Sequence, residues 1–171
     1  MGSTVHLLVI DNRDSFVYNV VELLRSLPEL TFEVIPEGEL ELSSLPEHDG
    51  LILSPGPGVP SEFPRMQALI RAEAGVKPIL GICLGHQALA EHYGATLVQL
   101  PAPRHGHASA LVVRDSADSL VGAIPTGSLV GRYHSWAVDE ASLPTCLVPT
   151  AYCADADEGR VLMAMRHRTE P

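Results

Sequence analysis

The first hundred residues alternate between short apolar runs and longer amphipathic stretches. Residues 5–10 (VHLLVI) are rich in branched side chains and give way to Asp11-Asn12, which predicts a buried strand ending in a polar loop. Between 16 and 27, apolar residues fall at 16, 17, 20, 21, 23, 24 and 27, one face of a helix that Pro28 stops. Further strands are predicted over 31–35, 51–53, 78–82 and 95–100. Two more helices are predicted, over 61–74 with Pro64 near its start and over 84–93 with Gly94 closing it. Strands alternating with helices imply an α/β fold, a mostly parallel central sheet with helices on both faces. In such sheets, sites gather at the carboxyl ends of the strands. Three polar or glycine-rich segments fall at such ends: 11–15, 54–58 and 81–87.

Beyond Pro101 the pattern changes. Prolines at 101, 103, 125, 144 and 149 punctuate short strand-like stretches over 110–113, 128–133, 146–152 and 161–165. These predict a small antiparallel strand extension laid onto the first half, so residues 1–171 are expected to form a single domain.

Composition narrows the function without choosing it. The chain is 46% hydrophobic and 19% charged, ordinary for a globular protein. A net charge of −10 argues against nucleic acid and anionic membrane as partners, because both demand clustered Lys and Arg. Cys83, Cys146 and Cys153 are too few and too widely spaced for a disulfide framework, and Cys146 and Cys153 do not by themselves make a metal site. A reducing, cytoplasmic setting is expected, with no metal and no cofactor. The opening residues do not read as a signal peptide, and no apolar run reaches transmembrane length.

The chemistry concentrates in Gly81-Ile82-Cys83-Leu84-Gly85-His86-Gln87. A buried strand runs into a cysteine and a helix starts at once, the strand–nucleophile–helix elbow of hydrolases with sulfur in place of oxygen. A turn this tight forces unusual backbone angles and close chain approach, so residues without side chains suit 81 and 85. A thiol at a helix N-terminus is expected to have a lowered pKa, and the same N–H groups could hold an oxyanion. A lone cysteine after an apolar strand is usually an inert core residue. The two flanking glycines, the elbow position and Gln87 one turn further on count against that reading. Ser54-Pro55-Gly56-Pro57-Gly58 is either a simple turn or a rigid loop lining the pocket beside Cys83, and its place at a neighbouring strand end favours the second.

These segments resemble the class I, or triad, glutamine amidotransferases, in the branch that supplies the small subunit of anthranilate synthase and the glutamine-hydrolysing subunit of aminodeoxychorismate synthase. The likeness covers essentially the whole chain. Residues 11–19 (DNRDSFVYN) resemble the branch's opening motif, 54–58 its oxyanion loop, and 81–87 its nucleophile motif. His105-Gly106-His107-Ala108-Ser109 is similar to a further motif, with His107 where lysine is usual. Arg132-Tyr133-His134-Ser135 matches another, with Trp136 where leucine is commoner.

The resemblance implies a flavodoxin-like fold with Cys83 as nucleophile. Gly56, Pro57, Gly58, Gln87, Ser135 and Trp136 would hold L-glutamine, and the backbone amides of Gly58 and Leu84 would form the oxyanion hole. It also implies partnership with a chorismate-binding synthase subunit, in a heterodimer or heterotetramer serving tryptophan or folate biosynthesis. Segments 11–15 and 105–109 are the candidate partner-facing loops. The family's His-Pro-Glu motif does not occur, so the triad's histidine and acid are expected to lie past Pro171, in an end this sequence lacks. Two alternatives follow: a catalytically silent subunit of the same synthase, and a γ-glutamyl hydrolase of the same fold.

Overall fold

A computed structural model of the chain describes residues 4–102, 106–155 and 159–171. The chain divides into two compact units, Met1–His92 with Glu170–Pro171, and Tyr93–Thr169.

The first unit is built on parallel strands: β1 (Val5–Asp11), β2 (Leu30–Pro36), β3 (Gly50–Leu53) and β4 (Ile79–Gly81). Their order is β2-β1-β3-β4. Helices α1 (Val17–Arg25), α2 (Pro64–Glu73) and α3 (Leu84–His92) accompany them. The period of two along β1 assigns the faces. Leu7 and Val9 join Ile52 and Phe32 against Val17, Val20 and Leu24 of α1. Leu8 and Ile10 join Leu51 and Leu53 against Met66, Leu69 and Ile70 of α2 and Leu84 and Ala88 of α3. Helices therefore cover both faces of a parallel sheet, as the sequence pattern predicts.

The helix predicted over 61–74 is divided. A 3-10 turn at Pro60–Glu62 ends at Phe63, whose φ of −122° and ψ of 66° lie outside the helical region, and α2 begins at Pro64. Pro64 explains the break, because a proline ring disfavours helical angles at the residue before it. The new helix start is capped from a distance. The buried Glu37 carboxylate accepts from Arg65 N at 3.0 Å and from Met66 N at 3.4 Å. A carboxylate there satisfies exposed N–H groups and complements the helix dipole. Glu37→Ala is expected to cost about 1–2 kcal/mol, read as a lower urea midpoint with unchanged m-value, while Glu37→Gln retains most of the stability.

The second unit is antiparallel. β6 (His107–Val113), β7 (Leu129–Arg132), β9 (Leu147–Asp155) and β10 (Gly159–His167) form a sheet in the order β10-β9-β6-β7. Its core gathers Leu111, Val121, Ala151, Cys153 and Ala164. One expectation is corrected here. The strand predicted over 95–100 is β5 (Leu97–Gln99), which does not extend the parallel sheet but pairs antiparallel with β8 (Trp136–Val138). At three residues, β8 is too short to carry a readable alternation, and its pairing decides where β5 belongs.

Candidate active site

The chain leaves β4 and turns into α3 within three residues. Ile82 N donates to Leu53 O at 2.9 Å, continuing the contact with β3 just past β4. Cys83 then adopts φ +53°, a left-handed conformation that side-chain-bearing residues seldom take. Helical bonding follows at once, from Gly85 N to Ile82 O at 3.0 Å and from Gln87 N to Cys83 O at 3.0 Å.

The flanking glycines have no room for a side chain. A Cβ at Gly81 would overlap the Gly85 backbone and stand 2.6 Å from His86 N. A Cβ at Gly85 would overlap the Leu53 carbonyl and stand 2.6 Å from Leu53 Cβ. The helix thus sits directly on two strands, and the strained cysteine is held between them.

The loop after β3 meets this elbow. A Cβ at Gly56 would overlap the Leu84 side chain and lie 2.8 Å from Asn12 Cβ. Gly58 has φ +67°, and the Glu62 carboxylate fills the place a Cβ would take. Asn12, at the end of β1, ties the loop down. Its backbone N–H donates to Ser54 Oγ at 2.9 Å and its Nδ2 donates to Ser54 O at 2.8 Å. Both Asn12 and Ser54 are wholly buried. The three strand-end segments singled out in the sequence therefore converge within the first unit.

Of the predicted site residues, Gly56, Cys83 and Leu84 come together here, followed along the loop by Pro57 and Gly58, both exposed. Gln87 is buried in α3. Ser135 and Trp136 belong to the second unit. Ser135 O accepts from Leu100 N at 2.9 Å, and Trp136 O lies 2.8 Å from His134 Nδ1. Since a carbonyl can only accept, His134 carries its hydrogen on Nδ1, and its Nε2 accepts from the buried Arg132 Nε at 3.2 Å. His105 of the candidate partner-facing loop lies outside the described residues. Two residues of the 11–15 segment, read from sequence as facing a partner, reach the elbow and its loop: Asn12 bonds Ser54, and the Asp14 charge acts on Cys83. Their position at a strand end was the signal.

Electrostatics at Cys83 run against the sequence expectation. The thiol is half-buried, and desolvation raises its pKa above the ordinary value. The Leu84 N–H pulls it down and the Asp14 charge pushes it up, but burial is the largest influence. A helix N-terminus lowers a thiol pKa only where its donors outweigh the loss of water. The sign at Asp14 follows directly: a nearby negative charge disfavours the thiolate. Asp14→Asn is therefore expected to move the pH midpoint of Cys83 alkylation by iodoacetamide downward, whereas in the parent protein that midpoint lies above that of an unstructured thiol.

Among the described residues no cluster of three His, Cys, Asp or Glu is placed to hold a metal ion, and no helix is long and apolar enough to cross a membrane.

The fold and the elbow define an α/β protein with a cysteine at a tight strand-to-helix turn. The family model "Glutamine amidotransferase class-I" matches residues 8–171. Anthranilate synthase component 2 of Lactococcus lactis is 40% identical over 167 residues, covering 96% of this chain and 80% of the relative. Aminodeoxychorismate synthase component 2 of Serratia marcescens is 40% identical over 174 residues, covering 95% and 84%. The crystal structure of a proposed GMP synthase subunit from Thermoplasma acidophilum superposes with a TM-score of 0.82 at 25% identity, covering 100% of this chain and 82% of that one. The chain belongs to the class-I glutamine amidotransferase family.

Proposed function

We propose that this chain hydrolyses the side-chain amide of L-glutamine and delivers the ammonia to a chorismate-aminating synthase subunit. The observation that carries the reading is Cys83 at φ +53° between two glycines that admit no side chain. Such strain is kept where surrounding structure enforces it, and it presents the sulfur at the tip of the turn.

In this reading the Cys83 thiolate adds to the amide carbon. The oxyanion rests on the N–H groups of Leu84 and Gly58. Collapse breaks the C–N bond as the amide nitrogen takes up the proton the thiol gave up, so that ammonia leaves and a glutamyl thioester remains. Water then attacks that thioester, releasing glutamate and restoring the thiol. Gly56, Pro57 and Gln87 hold the substrate. A positioned general base contributes typically on the order of 10²–10⁴-fold. His134, with Nε2 engaged by Arg132 and Nδ1 by Trp136 O, is not assigned that role.

Ammonia released to neutral water becomes ammonium, a poor nucleophile, so direct transfer to a partner follows. The relatives named above are components of anthranilate and aminodeoxychorismate synthases, which favours this reading over a γ-glutamyl hydrolase or a silent subunit. The exposed Arg13, Phe16 and Tyr18 are the proposed partner-facing residues beside the site. The test is reconstitution with a chorismate-binding synthase subunit. Glutamine-dependent amination of chorismate supports the reading, and a complex that uses only added ammonium contradicts it.

A further inference from the structure

We propose that Asn12 is a positioning residue that sets the 54–58 loop against the Cys83 elbow. The inference rests on the reading above, in which that loop supplies an oxyanion donor.

Asn12 has no exposed surface, and two hydrogen bonds tie it to the loop. Its Nδ2 donates to Ser54 O at 2.8 Å and its backbone N–H donates to Ser54 Oγ at 2.9 Å. Ser54 Oγ passes the constraint on, donating to Pro55 O at 2.8 Å. Two residues later, the Asn12 Cβ and carbonyl O occupy the space a Gly56 side chain would need, at 2.8 and 2.9 Å from its ideal Cβ. Gly56 is pressed from its other side by Leu84, the residue after Cys83. A continuous path of contact therefore runs from Asn12 through Ser54 and Gly56 to the elbow.

The carboxamide is held by its donor end. Its Oδ1 is enclosed and finds no hydrogen-bond partner. Turned over, the group would lose the bond to Ser54 O and set two oxygen atoms against each other. A buried acceptor left unpaired is unfavourable, so the Nδ2–Ser54 bond outweighs that cost here. Position 12 thus calls for a side-chain donor of this size. Oxyanion donors must hold their place to a fraction of an ångström, and a 1 Å error can cost about 100-fold in rate.

The test uses the full chain bound to its synthase subunit. Asn12→Ala removes the donor without adding charge. Expected are a kcat for glutamine lowered about 10–100-fold, a KM within about threefold, an unshifted pH midpoint for Cys83 alkylation, and unchanged ammonium-dependent synthase activity. The last two readouts show that fold, docking and thiol are intact, so a purely structural role would not give this pattern. Asn12→Asp places an acceptor against Ser54 O at neutral pH. Its kcat relative to the parent should recover as the pH falls and the protonated acid regains a donor. If Asn12→Ala does not fold, Ser54→Ala, which deletes only the Oγ link, should lower kcat about threefold or more with KM unchanged. A kcat within twofold of the parent in the folded variants overturns the inference alone. A parent complex without glutaminase activity overturns the reading beneath it instead.

Discussion

Cys83→Ser is expected to abolish glutamine-dependent activity while leaving ammonium-dependent synthase activity intact. The substitution nearly keeps the shape of the side chain and exchanges only sulfur for the smaller oxygen. A serine hydroxyl without a strong base beside it is a far weaker nucleophile than a thiolate, so a loss on the order of 10⁴-fold or more is expected. A companion variant separates chemistry from architecture. Cys83→Gly is equally inactive, but it relieves a residue held at φ +53°. Left-handed strain costs about 1–2 kcal/mol at a residue with a side chain, and glycine's extra freedom in the unfolded chain takes back about 0.5–1 kcal/mol. The glycine variant should therefore be as stable as the parent or slightly more so, where truncating an inert core cysteine would destabilise. Urea denaturation of parent and variant measures the difference.

Gly85→Ala carries the second large effect. In the first turn of an ordinary helix, alanine in place of glycine stabilises by up to about 1 kcal/mol. Here the added methyl would strike the Leu53 carbonyl and Cβ, both backbone-fixed parts of β3. Neither can move aside without shifting the strand, so overpacking should reverse the usual sign and cost about 2 kcal/mol or more. The helix must also lift away from β3, carrying Leu84 N–H and the Cys83 sulfur out of register. Thermal denaturation reads the stability loss. Glutaminase rate at a temperature where the variant is folded reads the displacement, with about a 100-fold fall expected.

Much of this arrangement was legible in the sequence because it rests on local rules. The apolar run at 5–10 marked a strand buried on two sides, and its two alternate sets, Leu7 with Val9 and Leu8 with Ile10, do pack on opposite faces. Gly81 and Gly85 were expected to lack side chains because a tight elbow needs close approach, and neither position can hold a Cβ. What escaped depends on partners far along the chain. β5 follows the first unit in sequence, yet its register is set by Trp136–Val138 some forty residues later. The direction of the Cys83 pKa turns on how completely water is excluded, which a motif does not state. Asn12 sat in plain view within a motif, but its service to the loop appears only once the ends of β1 and β3 are side by side. Pro64 by itself suits the first turn of a helix. Its effect on Phe63, not on itself, divided the predicted helix.

The central claim is that the sulfur at the elbow attacks a glutamine-like carbonyl. The most direct measurement is mass mapping of the protein after exposure to a glutamine-shaped diazoketone, with free glutamine as competitor. Cys146 is half-buried like Cys83 and Cys153 is fully buried, so these two thiols serve as internal controls. One adduct confined to Cys83 and suppressed by glutamine is the result expected. An unlabelled Cys83, or labelling spread over the cysteines without protection by glutamine, would contradict the account.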